Sequence, residues 1–233
     1  MTLALLDKVT QRFPLQVKRA FIAKDDIVTI ETEPHQLIEI AQALYEEPDF
    51  DFKMLLDVCG VDLLDYGTSE WRTEETTTTG FSRGVDVAPQ MEQIIQNEEP
   101  LRFATVYHLL SIKHNHRIRI RVLLKGEQPR VPSVFFIWNS ANWYERETFD
   151  LFGIIFDGHP DLRRLLTDYG FVGHPFRKDF PLIGDVELRY DALQERCIYE
   201  PVSIQPRVTV PKVIRFDNRY LQDGEPNIKK EGT

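Results

Sequence analysis

The stretch ERETFDLFGIIFDGHPDLRRLL, residues 145–166, gathers side chains capable of chemistry: Glu145, Glu147, Asp150, Asp157 and Asp161 beside Arg146, Arg163, Arg164 and His159. On a helix, Glu147 and Asp150 stand three apart on one face, where two carboxylates can share acid–base work if burial raises one pKa. Arg146 and Asp150, four apart, are placed to pair. The arginines favour ionised carboxylates, which is the structural rather than the catalytic state. No serine or cysteine in the stretch stands as a nucleophile. Gly-His-Pro occurs at 158–160 and again at 173–175. The triplet most simply makes a turn whose proline starts the next element; the alternative is that His159 and His174 act as bases. The residue types favour a rigid, charge-networked surface of helix, turn and helix, with Trp143 and Tyr144 as aromatic anchors for another protein. A network that only knits one domain together explains any single residue equally well.

Two other constellations compete. His114 and His116 in KHNH have the spacing of a metal pair, but they fall in a predicted hairpin turn without an evident third ligand, so turn chemistry is the simpler reading. Arg117, Arg119 and Arg121 alternate with Ile118, Ile120 and Val122, which puts the arginines on one face of a strand. Such a ladder can meet phosphates, acidic side chains on a neighbouring strand, or another protein chain. The net charge of −9 and the absence of a glycine-rich phosphate loop favour pairing with protein over nucleic acid.

A chain of 233 residues, 42% hydrophobic and 28% charged, is expected to fold as one domain, with an appendage at most. No apolar run reaches bilayer length, and the start, MTLALLDKVTQRF, lacks the basic and long apolar regions of a secretory signal, so a cytosolic address is expected. Two distant cysteines, Cys59 and Cys197, cannot hold a four-thiolate iron–sulfur cluster and form no CxxC pair.

The elements that must position these residues follow from periodicity. A short amphipathic helix is expected over 3–13, with Leu3, Leu6, Val9 and Phe13 on or near one stripe. VKRAFIA and DIVTIETE read as strands around a Lys24-Asp25-Asp26 turn. Pro34 opens a helix that Pro48 closes. FKMLLDVCGVDLL suits a buried strand, and residues 67–100, with EETTTTG, read as a loop insertion. RFATVYHLLSI and RIRIRVLLK form a hairpin. Asn142 is expected to cap the helix WYERETFDLF, with Glu145 completing a capping box and Gly153 as a left-handed stop. VELRY and RCIYEPV alternate as strands. The mixture predicts an α+β fold, a mixed or antiparallel sheet packed with helices, over residues 1–182, followed at 183–233 by a hairpin and an extended arm.

The arm is argued from its prolines. Pro201, Pro206 and Pro211 forbid a helix and disfavour a central strand, yet Val202, Ile204, Val208, Val210, Val213, Ile214 and Phe216 are too apolar for a solvated linker. Sixteen extended residues reach on the order of 50 Å, and each buried CH2 is worth about 0.8 kcal/mol. The arm therefore folds back on its own domain or lies along a neighbour; the neighbour is the favoured reading.

Taken together, these motifs resemble the 30-kDa (or C) subunit family of respiratory complex I, the proton-pumping NADH:quinone oxidoreductase. The likeness is carried by Glu145-Arg146-Glu147, Asp150-Leu151-Phe152, His159, Arg163-Arg164-Leu165-Leu166, Gly173-His174-Pro175, Arg177-Lys178-Asp179 and Pro181-Leu182. DVCGVDLLDY, VYHLLSIKHNHRIRIRV and VPSVFFIWNSANWYERE extend it upstream, so that it covers about residues 50–220; the Thr-rich insertion is a departure.

The resemblance implies a chain without catalytic, cofactor or metal residues of its own. Glu145, Arg146, Glu147, Asp150, His159, Arg163, Arg164, His174, Arg177, Lys178 and Asp179 are then signature or interface residues. It implies FMN, iron–sulfur clusters and quinone in partner subunits. The partners implied are the 49-kDa-like (D) protein at the quinone site, over which the C-terminal segment extends, and the cluster-bearing (B) protein. The expected address is the cytoplasmic side of a bacterial inner membrane, reached only through the complex. A related reading makes the chain an accessory component of a membrane-bound hydrogenase or another reduced-cofactor dehydrogenase. Two distant readings remain: a stand-alone acid–base enzyme using Glu147, Asp150, His159 and His174, and an RNA-binding hairpin using Arg117, Arg119 and Arg121.

Overall fold

The structure is a computed structural model in which residues 2–64, 66, 101–181 and 183–204 are described. The expectations for the 67–100 insertion and for the arm beyond Ile204 lie outside the described residues. The chain divides into two compact units. The described parts of the first are residues 2–64, 101–181, 183 and 184, and those of the second are residues 66 and 185–204.

In the first unit, apolar periodicity produces the elements. Helix α1 (Thr2–Arg12) leads to the hairpin β1 (Val17–Ile22) and β2 (Val28–Thr32). Its turn needs a left-handed residue, supplied by Asp26 at φ 58°. Pro34 opens a single tight turn that continues into α2 (Leu37–Glu46). Strands β3 (Met54–Asp62), β4 (Phe103–Ser111) and β5 (His116–Leu124) follow. With β1 and β2 they form a five-stranded sheet in the order β1-β2-β5-β4-β3, antiparallel except between β2 and β5. This is the α+β mixed sheet expected from the sequence.

One face of the sheet carries Val28, Ile30, Ile118, Ile120, Val122, Tyr107 and Leu109 into a core shared with both helices. From α2 come Leu37, Ile40, Ala41 and Leu44 at helical spacing. From α1 the buried residues are Leu5 and Val9, continued by Phe13 just past its end, while Leu3 is exposed and Leu6 only partly buried. The expected stripe was therefore out of register at its start, because Leu5, Val9 and Phe13 keep the i, i+4, i+8 spacing and Leu3 does not.

Two of the three alternating arginines are paired within the fold, Arg119 with Asp25 at 2.6 Å and Arg121 with Glu31 on the adjoining strand, while Arg117 is exposed. The His114 ring lies 2.9 Å from the Pro48 carbonyl and stacks on His116. Among the described residues no His/Cys/Asp/Glu cluster could hold a metal, and no helix is long and apolar enough to cross a membrane.

A short parallel pair, β6 (Arg130–Pro132) and β7 (Ile155–Asp157), brackets helix α3 (Ala141–Phe152). Two expectations fail here. Asn142 lies inside α3 instead of capping it, Ser140 being the residue at the cap, and the Asn142 Oδ1 is buried without a partner. No second helix forms at 159–166: β7 is followed by an irregular loop. The backbone groups a helix would need are taken by side chains of α3. Gly153 does end α3 in the left-handed region, at φ 73°.

The second unit holds the hairpin β8 (Val186–Asp191) and β9 (Arg196–Pro201), the two alternating stretches read from the sequence. Arg189 and Glu200 pair across it at 2.7 Å.

Candidate functional site

Helix α3 distributes its charged residues to three different environments. Glu145 is fully buried and accepts from the Ser133 hydroxyl at 2.6 Å and the Val134 N–H at 2.8 Å. These bonds replace the capping box expected of it. Arg146 points the other way. Its Nε and Nη2 donate to the carbonyls of Arg163 and Arg164, each at 3.2 Å, and its guanidinium lies 5.5 Å from the Trp143 ring centroid. It does not pair with Asp150, which has a nearer cation. Glu147 is half-buried, and its neighbour Thr148 donates to the Val58 carbonyl of β3 at 3.0 Å.

Asp150 is the hub. Arg164 Nη1 and the Thr167 hydroxyl donate to Oδ1, and the N–H groups of Leu165, Leu166 and Thr167 converge on Oδ2 at 3.0, 2.7 and 2.8 Å. A carboxylate offers about four lone-pair sites, so none is left for a substrate. Burial works against charge at Asp150. The bonds from Thr167, Leu166 and Leu165 outweigh it and hold the carboxyl well below the ordinary range. The same bonds explain the missing helix. The N–H groups of 165–167 are committed to Asp150 and the carbonyls of 163 and 164 to Arg146, which leaves neither set for an i→i+4 ladder. Arg163 itself reaches outward to Asp161 at 2.8 Å.

The C-terminal turn of α3 shows what the second Gly-His-Pro does. A helix end leaves its last carbonyls without partners. Here the Phe149 carbonyl takes the Gly153 N–H at 2.8 Å, and the Asp150 carbonyl takes His174 Nδ1 at 2.9 Å. The Leu151 carbonyl takes the Phe176 N–H at 3.0 Å, and the Phe152 carbonyl takes Arg177 Nε at 2.6 Å. His174 must therefore carry its proton on Nδ1. Gly153 is needed twice: its φ is left-handed, and a Cβ there would stand 2.5 Å from Arg177 Nη2 and 2.6 Å from the His174 ring.

The first Gly-His-Pro is equally structural. Gly158 adopts φ 84°, and His159 Nδ1 accepts the Asp161 N–H at 3.1 Å while Nε2 faces the Asn142 carbonyl at 3.3 Å. Burial lowers the pKa of both histidines.

The last signature residues join a pair that sequence reasoning did not single out. Arg102 makes a two-pronged contact with Asp62, Nε to Oδ1 at 3.0 Å and Nη2 to Oδ2 at 2.8 Å, and also reaches Asp179 at 2.9 Å. Asp62 additionally accepts the backbone N–H of Lys178 at 2.9 Å. Burial alone would raise the Asp62 pKa; Arg102 and the N–H groups of Lys178 and Leu64 reverse it. Asp62 lies within DVCGVDLLDY and Arg102 opens the strand before FATVYHLL, but nothing local links them.

The loop fastened in this way displays what remains outward. Leu166, Tyr169, Val172 and Phe176 are all exposed, Tyr169 at 92%. The loop is thus pinned by buried ionic bonds while it presents large apolar side chains to water.

Residues 30–186 match the family described as the respiratory-chain NADH dehydrogenase, 30 Kd subunit. A Coxiella burnetii (strain Dugway 5J108-111) protein, named as the C chain of NADH-quinone oxidoreductase, is 64% identical over 223 residues, 96% of this chain and 97% of its own. A Legionella pneumophila (strain Paris) protein of the same name is 56% identical over 201 residues, 86% of this chain and 87% of its own. One solved chain, from the membrane-bound sulfane sulfur reductase, an archaeal respiratory membrane complex, is alike in fold. Its TM-score is 0.52 at 16% identity, over 77% of this chain and 85% of that one.

Proposed function

The chain belongs to the 30-kDa subunit family of respiratory-chain NADH dehydrogenase, and from that premise we propose that it serves NADH-quinone oxidoreductase as a scaffold that holds redox subunits together. It is a component of that oxidoreductase and assembles with other subunits of complex I. In this reading the chain contains no active site, and FMN, the iron–sulfur clusters and the quinone reside in partner subunits. The assembly, not this chain, couples electron transfer to proton translocation.

The observation that supports a holding role most directly is the state of Asp150. The most connected acid of the signature is saturated by five donors inside its own chain. Acid–base catalysis requires a carboxyl or imidazole with a free site for the reacting atom. At Asp150 every such site is occupied by the fold, and the outward surface is the apolar loop around Tyr169. The 49-kDa-like (D) protein and the cluster-bearing (B) protein are the proposed partners, with the segment beyond Ile204 lying along the former. The complex as a whole holds the chain at the cytoplasmic side of the inner membrane. The hydrogenase reading is set aside, because relatives matched over nearly the whole chain carry the quinone oxidoreductase name.

The test is purification of the tagged chain from its own cells in mild detergent. Flavin- and cluster-bearing subunits and NADH:quinone activity should copurify, and the chain stripped of partners should show no flavin or iron absorbance. Recovery of the chain alone, or with the catalytic subunits of a hydrogenase, overturns the assignment.

A further inference from the structure

Three carboxyls are buried among the described residues: Asp62, Glu145 and Asp150. Asp62 is neutralised by Arg102 and Asp150 by Arg164. Glu145 pairs with no Lys or Arg among the described residues. The ionisable groups that face it are His159, whose Nε2 stands 4.0 Å from Glu145 Oε2 with neither side chain exposed, and the buried Tyr107, whose own pKa Glu145 helps to raise.

His159 is ill suited to supply the missing charge. Its Nδ1 accepts the Asp161 N–H, which fixes the proton of the neutral ring on Nε2. A second proton would have to displace that N–H. The groups around the pair do not help. Arg146, next to Glu145, is turned away to the carbonyls of 163 and 164, and its charge acts against an imidazolium at His159, while Asp161 acts for it. From β4, Tyr107 brings a hydroxyl that is buried and unpartnered, and the Asn142 Oδ1 is in the same condition. Glu145 has two neutral donors, Ser133 and Val134, whose bonds favour the carboxylate without supplying a positive charge.

We propose that Glu145 is a proton-binding site. The folded chain holds this carboxyl in its neutral, protonated form near neutral pH, with Ser133 and His159 as its immediate neighbours, and releases the proton to water as the pH rises. The release converts the acid to a carboxylate and places an uncompensated charge between α3 and the segments that follow β6 and β7. Burial agrees in direction, moving the Glu145 pKa from the ordinary 4.5 to about 7 against the pull of Ser133 and Val134. For an acid raised in this way the folded chain binds more protons than the unfolded one between those two values, so stability falls as pH rises through the window and the loss is complete above about 7.

The experiment is an infrared titration of the full chain from roughly pH 5 to roughly pH 9, paired with thermal melting at each pH. A protonated-carboxyl C=O band should persist to near neutrality and vanish above it. E145Q should lack the band and should lose the corresponding slope in Tm. An E145Q spectrum with the same band, or a band that bleaches in the ordinary carboxylate range, overturns the proposal. Ser133→Ala covers the case in which E145Q does not fold: removing that donor should move the midpoint of the band upward, and a midpoint that stays in place overturns the proposal as well.

Discussion

The backbone N–H of Lys178 donates to Oδ2 of Asp62 at 2.9 Å, across 116 positions of sequence. The same carboxylate receives both prongs of Arg102, so one acid at the end of β3 fixes the loop that carries the last signature residues. Asp62→Ala removes both prongs of the Arg102 contact and leaves that largely buried guanidinium only the exposed Asp179, which should cost roughly 3 kcal/mol. Hydrogen exchange at the Lys178 amide should accelerate in the folded variant. An amide as protected as in the parent chain would contradict the assignment of this bond.

Asp150→Asn should cost a similar amount, roughly 3–5 kcal/mol, measured by urea unfolding, because it strands Arg164 beside a neutral amide. The pH dependence has a definite sign. Asp150 and Asp62 both have folded pKa values below the ordinary range, so their stabilisation is present above about 4 and fades as pH falls through the folded values. The acid limb of a Tm–pH curve should therefore be shallower in Asp150→Asn than in the parent chain.

Gly153→Ala combines a strained φ with a Cβ placed 2.5 Å from Arg177 Nη2. The backbone term alone is about 1–2 kcal/mol, and the displaced Arg177 adds the loss of its bond to the Phe152 carbonyl. Unfolding midpoints of Gly153→Ala and Arg177→Lys should both fall, the glycine variant further.

His174→Ala opens the Asp150 carbonyl and should destabilise by about 1–3 kcal/mol. Nitrogen-15 shifts of the ring should report a neutral Nδ1–H tautomer in the parent chain. A ring protonated on Nε2 alone would rule out its capping role.

Tyr169→Asp and Val172→Asp separate folding from assembly. Both side chains are exposed, so stability should change by no more than about 0.5 kcal/mol. Retention of the chain by its complex should drop about tenfold or more, corresponding to about 1.4 kcal/mol of lost contact. Intact assembly with both variants would move the contact surface elsewhere.

The sheet and its helices were legible because their signals are local. Leu37, Ile40 and Leu44 repeat at helical spacing after Pro34, and Ile118, Ile120 and Val122 alternate with Arg119 and Arg121. The errors occurred where distant groups outbid local ones. Asn142 and Glu145 have capping-box spacing, yet Glu145 is drawn to Ser133 and Val134, which the sequence places before the helix. LRRLL after Gly-His-Pro reads as helix until Asp150 and Arg146 claim its backbone. The Asp62–Arg102 pair had no local signal, since its members lie 40 residues apart. The signature residues were found by their resemblance to a family; what each one bonds required the fold.

The outer margin of β3 has its own bearing on how the chain meets others. β3 ends the five-stranded sheet, a position that normally leaves backbone groups open to recruit a foreign strand. Here Thr148 of α3 occupies the Val58 carbonyl, and Phe152 presses on Gly60 so closely that even a methyl there would overlap it, at 2.5 Å. Copies of the polypeptide waiting for their partners are thereby kept from zipping together along this margin.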